Sequence, residues 1–271
     1  AMSIRHVQDK VPPIDELGLP PMVHNIANET RGIILVTGTT GSGKSTTLAC
    51  MLDYMNETSS RHIITIENPI EYTFEDKSCI FEQREVGLDT VSFASALKHM
   101  LRQDPDVIVV GEMRDRESFD AALQAADTGH LVMSTLHTIS AAQSIHRIMD
   151  FYPDAERKQV RMALASSLKA IICQRLVPRA FGKGRIPAIE IMVNNATIKK
   201  LLEDDKIDRM SAAIEGMRGD GMQSFNQALY ELVNEGQVTE ENALEAASNP
   251  EALQMMFEGI FLNTAGAILG E

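Results

Sequence analysis

The sequence predicts an α/β fold: a mostly parallel sheet covered by helices on both faces, followed by a helical C-terminal region. Three observations predict it. Apolar, β-branched runs such as GIILVTG (32–38), HIITIE (62–67) and DVIVVGE (106–112) alternate with stretches whose apolar residues recur at helical spacing. These runs are continuous, which suits strands buried on both faces, as parallel sheets require. After PAIEIM (187–192) the pattern is almost wholly helical to residue 271.

Each element follows from its own residues. Residues 22–29 predict a short helix. The helix 44–57 carries Leu48, Met51, Leu52 and Met55 on one face. Residues 78–86 (SCIFEQREV) predict a strand or a hairpin arm. A helix is predicted over 89–103, capped by Asp89, Thr90 or Ser92, with Phe93, Leu97 and Met100 or Leu101 as its inner stripe. A helix over 116–127, the strand HLVMSTLH (130–137) and helices over 140–149 and 156–176 follow. Four prolines in DKVPPIDELGLPP (9–21) mark a linker. The expected division is therefore linker 1–22, core 23–193 and helical region 194–271. The apolar tail MMFEGIFLNTAGAILG (255–270) is broken by Glu258 and Asn263, so it reads as a docking helix or an interface.

Composition excludes several classes. A formal net charge of −13 argues against sequence-independent nucleic-acid binding, which needs surplus Lys and Arg. Cys50, Cys79 and Cys173 stand far apart with no CxxC pair, against a disulfide framework or a zinc knuckle. No uninterrupted apolar run reaches the ~18–20 residues that span a bilayer, so no membrane insertion is expected.

Chemistry concentrates at the predicted carboxyl ends of strands, where open α/β sheets bind ligands. GTTGSGKST (38–46) follows a strand, opens a helix and fits G-x-x-x-x-G-K-[ST]. Gly38, Thr39, Thr40, Gly41, Ser42 and Gly43 form the loop, whose N–H groups turn inward as an anion nest beside the helix N-terminus. Lys44 is expected to reach the β- and γ-phosphates and Ser45 to coordinate Mg²⁺, with Thr46 closing the motif. Glu112 follows the apolar run 107–110, with Gly111 where an Asp is usual. A carboxylate there suits orienting or deprotonating water; the alternative is a strand-end glutamate paired with Arg114 or Arg116. TIENPIEY (65–72) places Glu67 and Glu71 on a turn stiffened by Pro69, able to hold Mg²⁺ through water. His130 and His137 bracket one strand, roughly 23 Å apart at strand rise, so they share no metal. Arg84, Arg102, Arg114 and Arg116 are candidates to meet transition-state charge, including from a neighbouring subunit.

With these residues in hand, the chain resembles the secretion-type ATPases of the type IV pilus retraction group, the PilT/PilU proteins. The motifs are the Walker A loop GTTGSGKST, the acidic box TIENPIE, an atypical Walker B VIVVGEMRD and the His box TGHLVMSTLHT. FEQREVGLDT, ALKHMLRQDPDVI and GMQSFNQAL (221–229) extend the likeness over about residues 15–258. QRLVPRAFGKGRIPAIEIM and SNPEALQMMF look closer to PilU than to PilT.

The resemblance implies a RecA-like P-loop NTPase domain that hydrolyses ATP with Mg²⁺ as a homo-hexamer. It implies Glu112 as the catalytic glutamate, Glu67 assisting the metal, and His130 and His137 as the His-box pair. It also implies the cytoplasmic face of a bacterial inner membrane as location. The implied partners are a pilus platform protein of that membrane and a paralogous retraction ATPase. A PAS-like N-terminal domain and a four-cysteine zinc module of relatives have no counterpart here. Asn68 stands where the family usually has Asp, and in ATIKKLLEDDK (196–206) Lys199 and Asp204 replace arginines. Those departures motivate the alternative of an accessory subunit that binds nucleotide and hydrolyses little.

Overall fold

The computed structural model describes Val7 and residues 10–261. Helix α1 (Met22–Ala27) precedes β1 (Gly32–Thr37), α2 (Lys44–Thr58), β2 (His62–Glu67) and β3 (Ile80–Glu85). Then come α3 (Phe93–Met100), β4 (Val107–Val110), α4 (Arg116–Asp127), β5 (Leu131–Leu136) and α5 (Ala141–Met149). Helix α6 (Asp154–Ser167) leads into β6 (Leu168–Pro178) and β7 (Arg185–Val193). Helices α7 (Ala196–Glu203), α8 (Met210–Gly216), α9 (Phe225–Asn234), α10 (Glu240–Ala246) and α11 (Pro250–Phe257) complete the described chain. Most of the apolar tail, residues 262–270, lies outside the described residues.

The seven strands form one sheet in the order β3-β2-β4-β5-β1-β6-β7. All neighbours are parallel except β6 and β7. The expected mostly parallel α/β fold is therefore present. Every residue of β1, β4 and β5 is buried, which explains why these strands read as unbroken apolar runs. Successive side chains alternate faces. Ile33 and Leu35 enter the larger core, with Leu97 of α3, Phe119 of α4, Ile145 of α5 and Phe225 of α9. Ile34 and Val36 enter the other, with Val23 of α1 and Met51 of α2. Full burial of each such side chain contributes about 1.5–3 kcal/mol.

The structure corrects one expectation and refines two others. Residues 156–176 are not one helix: α6 ends at Ser167 and the chain continues as β6, paired with β1. LKAIIC is apolar almost throughout, and a strand buried on both faces shares that pattern with a buried helix. Of the two alternatives for 78–86 the strand is present: β3 runs parallel to β2 at the sheet edge, which rules out the hairpin arm. The helix expected over 89–103 is shorter. Ser92 caps it by accepting from the Ser95 N–H, while Asp89 accepts from the Glu85 N–H in the preceding turn. Ser140 and Ser224 cap α5 and α9 in the same way. Among the described residues, no helix is long and apolar enough to cross a membrane.

Candidate active site

The loop 38–43 joins the carboxyl end of β1 to the first turn of α2. Gly43 takes φ +91°, and a Cβ there would lie 2.7 Å from the Gln174 side-chain nitrogen. That position therefore requires glycine. The Lys44 ammonium donates to the carbonyls of Gly38 (2.9 Å) and Thr39 (3.0 Å), so it lies against its own loop. Burial pushes the Lys44 pKa down, opposed by the negative charge of Glu112 and Glu71. Ser42 Oγ is buried without a partner. The Thr46 hydroxyl lies 3.0 Å from the Tyr72 hydroxyl, and Thr47 donates to Gln174 Oε1 at 2.7 Å.

The loop forms one wall of a cavity of about 570 Å³. Lys44, Ser45 and Thr46 face Glu67 at the end of β2, Glu71 and Tyr72 from the chain after it, and Glu112, Arg114 and His137 from the ends of β4 and β5. Leu48, Leu52, Phe74 and Phe93 add apolar surface. The volume lies in the range of ligand pockets, and the lining combines apolar side chains with a few polar and charged ones.

Glu112 departs from the sheet just after Gly111, whose N–H donates to the Ile66 carbonyl at 2.8 Å. A Cβ at 111, where an Asp is usual, would come within 3.2 Å of that same carbonyl, a tight approach that glycine avoids. The Glu112 carboxylate is engaged on both oxygens. Oε2 lies 2.6 Å from Arg114 and Oε1 lies 3.3 Å from His137 Nε2. Burial opposes ionisation of Glu112. The Arg114 hydrogen bond and the charges of His137, Arg114 and Lys44 outweigh it and hold the carboxyl below the usual range.

Glu67 accepts from Thr65 Oγ1 (2.7 Å), Gln83 Nε2 (3.2 Å) and the Glu71 N–H (3.4 Å). Burial raises its pKa, and those hydrogen bonds offset only part of the rise. The Asn68–Pro69 peptide that follows is cis.

The cavity thus brings together Thr40, Gly41, Gly43, Lys44, Ser45, Thr46, Glu67, Glu112 and His137, but not His130. His130 precedes β5 at the opposite end of the strand and does not line the cavity. Its ring nitrogen is 2.9 Å from the Ala125 carbonyl and 3.1 Å from Thr128 Oγ1. Among the candidate arginines, Arg116 is held by Glu156 and Asp120 and lies over the Tyr152 ring, and Arg84 bonds Glu82 and Gln103. Arg114 lines the cavity. Sequence reasoning missed Tyr72, Gln174 and Arg185. The polar pair Gln174–Arg175 interrupting the run IICQRLV was the available signal.

Comparison with known proteins agrees with this geometry. Residues 14–200 match the family model of type II/IV secretion system proteins. The chain is 48% identical to the type IV pilus retraction ATPase PilT of Pseudomonas aeruginosa, over 91% of this chain and 72% of that protein. It is 44% identical to the type IV pilus ATPase PilU of the same organism, over 95% of this chain and 67% of that protein. The local likeness to PilU thus does not extend to overall identity. A crystal structure of the pilus retraction motor PilT with bound ADP superposes with a TM-score of 0.87, at 49% identity, over 93% of this chain and 71% of that one. The chain belongs to the type II/IV secretion ATPase family, among the type IV pilus retraction ATPases of the PilT/PilU group.

Proposed function

We propose that this chain is the motor domain of a pilus retraction ATPase and that its cavity hydrolyses ATP at a site built from Lys44, Ser45, Glu67, Glu112 and His137. The observation that carries the proposal is the convergence of these side chains from α2 and three neighbouring strands on one cavity. Residues 38–46 hold the phosphates through loop N–H groups and the helix N-terminus. Lys44 exchanges the carbonyls of Gly38 and Thr39 for phosphate oxygens. Glu112 takes the proton of the attacking water, and the products are ADP and phosphate. For that, its bond to Arg114 must open or turn aside.

The donor set fits Mg²⁺. Its members are oxygens, and no group of three or more His, Cys, Asp or Glu that could hold a metal exists among the described residues. Mg²⁺ characteristically takes one or two carboxylates together with substrate phosphates. Ser45 would hold it directly, and Glu67 and Glu112 through water. When bound, it neutralises charge on the phosphates.

In this reading residues 23–193 are the ATPase core and 194–271 the helical region that moves with it. The chain works as a homo-hexamer at the cytoplasmic face of the inner membrane and passes its motion to a platform protein there. The test is steady-state hydrolysis of Mg²⁺-ATP across protein concentrations, with Lys44→Ala beside the wild type. Turnover per subunit that rises with concentration, and a variant at least about tenfold weaker for nucleotide, support it. A wild type that binds ATP without turnover at every concentration favours the accessory subunit instead.

A further inference from the structure

Strand β6 lies beside the phosphate-loop strand, and its consecutive residues Gln174 and Arg175 face opposite sides of the sheet. Gln174 is buried, accepts from Thr47 of α2 and packs against the Gly43 backbone. Arg175 reaches the other way. Its guanidinium carbon sits 4.0 Å from the centre of the Phe225 ring, at the start of α9. One nitrogen donates to the Ala246 carbonyl at 2.5 Å, at the last residue of α10. The other donates to the Ile139 carbonyl at 3.4 Å. Ile139 belongs to the short loop that begins with His137 and ends at the cap of α5. Glu190 of β7, itself buried, accepts from the Ala141 N–H at the first turn of α5. Its charge also attracts Arg175.

A half-buried guanidinium is a costly way to join a sheet to helices when an apolar side chain would pack there. What only a planar fork does is bind two carbonyls at once in fixed relative positions. Here one carbonyl belongs to the loop that carries His137 and the other to the end of α10. Asn226 of α9 fixes the same corner, donating to the Asn249 carbonyl and accepting from the Ser248 N–H.

We propose that Arg175 is a positioning residue that couples the nucleotide state of the cavity to helices α9 and α10, by holding the His137 loop and the end of α10 in one fork. The proposal rests on the ATPase reading above. When a γ-phosphate draws His137, the loop shifts, the fork shifts with it, and the α10 corner moves. Gln174 on the other face keeps β6 seated on the phosphate loop. The coupling is carried by contacts that differ between two nucleotide states, as such coupling must be.

The test measures two quantities on the same samples: affinity for a non-hydrolysable ATP analogue, and amide hydrogen exchange over residues 240–249 with and without it. In the wild type the analogue is expected to change exchange in that segment. In Arg175→Met, affinity stays within about threefold while the change in 240–249 is lost; a coupling of the usual size is about 5–150-fold. Arg175→Lys keeps the charge but not the fork, and recovers only part of the change. It also serves as the readout if the methionine variant does not fold. A full nucleotide-dependent change in either variant overturns the proposal, as does a wild type that binds the analogue with no change in 240–249. A wild type that fails to bind the analogue overturns the ATPase reading and this inference with it.

Discussion

The Glu112 carboxylate lies 3.3 Å from Nε2 of His137, and the two residues follow adjacent parallel strands, β4 and β5. Strand pairing brings them together, since 24 positions of chain separate Val110 from Ser134, its partner across the ladder. The contact places an ionised carboxylate and an imidazole in the same cavity as Lys44.

Glu112→Gln preserves shape and removes the base. ATP affinity is expected to stay within a few-fold of the wild type, while kcat falls by about 10²–10⁴. Single-turnover hydrolysis beside equilibrium nucleotide binding checks this. A variant that turns over at the wild-type rate would remove Glu112 from the reaction.

Arg114→Ala removes one of the groups that hold the Glu112 carboxyl below its usual range. Hydrolysis needs ionised Glu112, so the acid limb of the kcat/KM profile is expected to move to higher pH. The stability effect follows the same sign. A carboxyl whose folded pKa is depressed contributes stability above its unfolded pKa, and that contribution disappears as pH falls through the folded value. The variant therefore loses stability at neutral pH and converges on the wild type in acid. Arg114 is exposed, which limits the loss to about 0–1 kcal/mol. An unmoved acid limb would separate Arg114 from Glu112 function.

Glu67→Gln is expected to do the reverse for stability. The folded pKa of Glu67 is raised by burial, so its ionised form costs stability once pH exceeds that value. The Thr65 and Gln83 hydrogen bonds survive in the glutamine. Melting temperature should rise relative to wild type at neutral pH, with the gain vanishing in acid, while the Mg²⁺ concentration for half-maximal hydrolysis increases. A lower melting temperature at pH 7 with unchanged Mg²⁺ dependence would contradict both arguments.

His130→Ala separates a bracket of the fold from a reacting group. The ring joins the end of α4 to the start of β5. Losing it should cost about 1 kcal/mol, or roughly 2–4 °C in Tm for a chain of this size. Turnover by the folded protein should persist. Abolished turnover with an unchanged Tm would instead place His130 in the catalytic assembly.

Much of this protein was legible in its residues. The strands β1, β2, β4 and β5 are short apolar runs with β-branched residues, and the loop 38–46 carries its strand–loop–helix context with it. Helix α4 spans the expected 116–127, and Asp115 caps it from the side chain. The misreading of 156–176 marks the limit. Once a segment is buried on both sides, helix and strand present the same apolar run, and only the neighbour it pairs with decides.

By itself the sequence determined most of the local elements, the phosphate loop and which carboxylates and histidines bracket strands, because periodicity, caps and glycine requirements act within a few residues. The tertiary structure alone decided which ends share a cavity. It placed Glu112 against His137 of the neighbouring strand. It also turned Gln174 toward the phosphate loop and Arg175 toward α9 and α10. Those outcomes follow from the strand order β2-β4-β5-β1-β6, which joins residues far apart in the chain. Such pairing is chosen by burial over the whole sheet, and no window of sequence contains it.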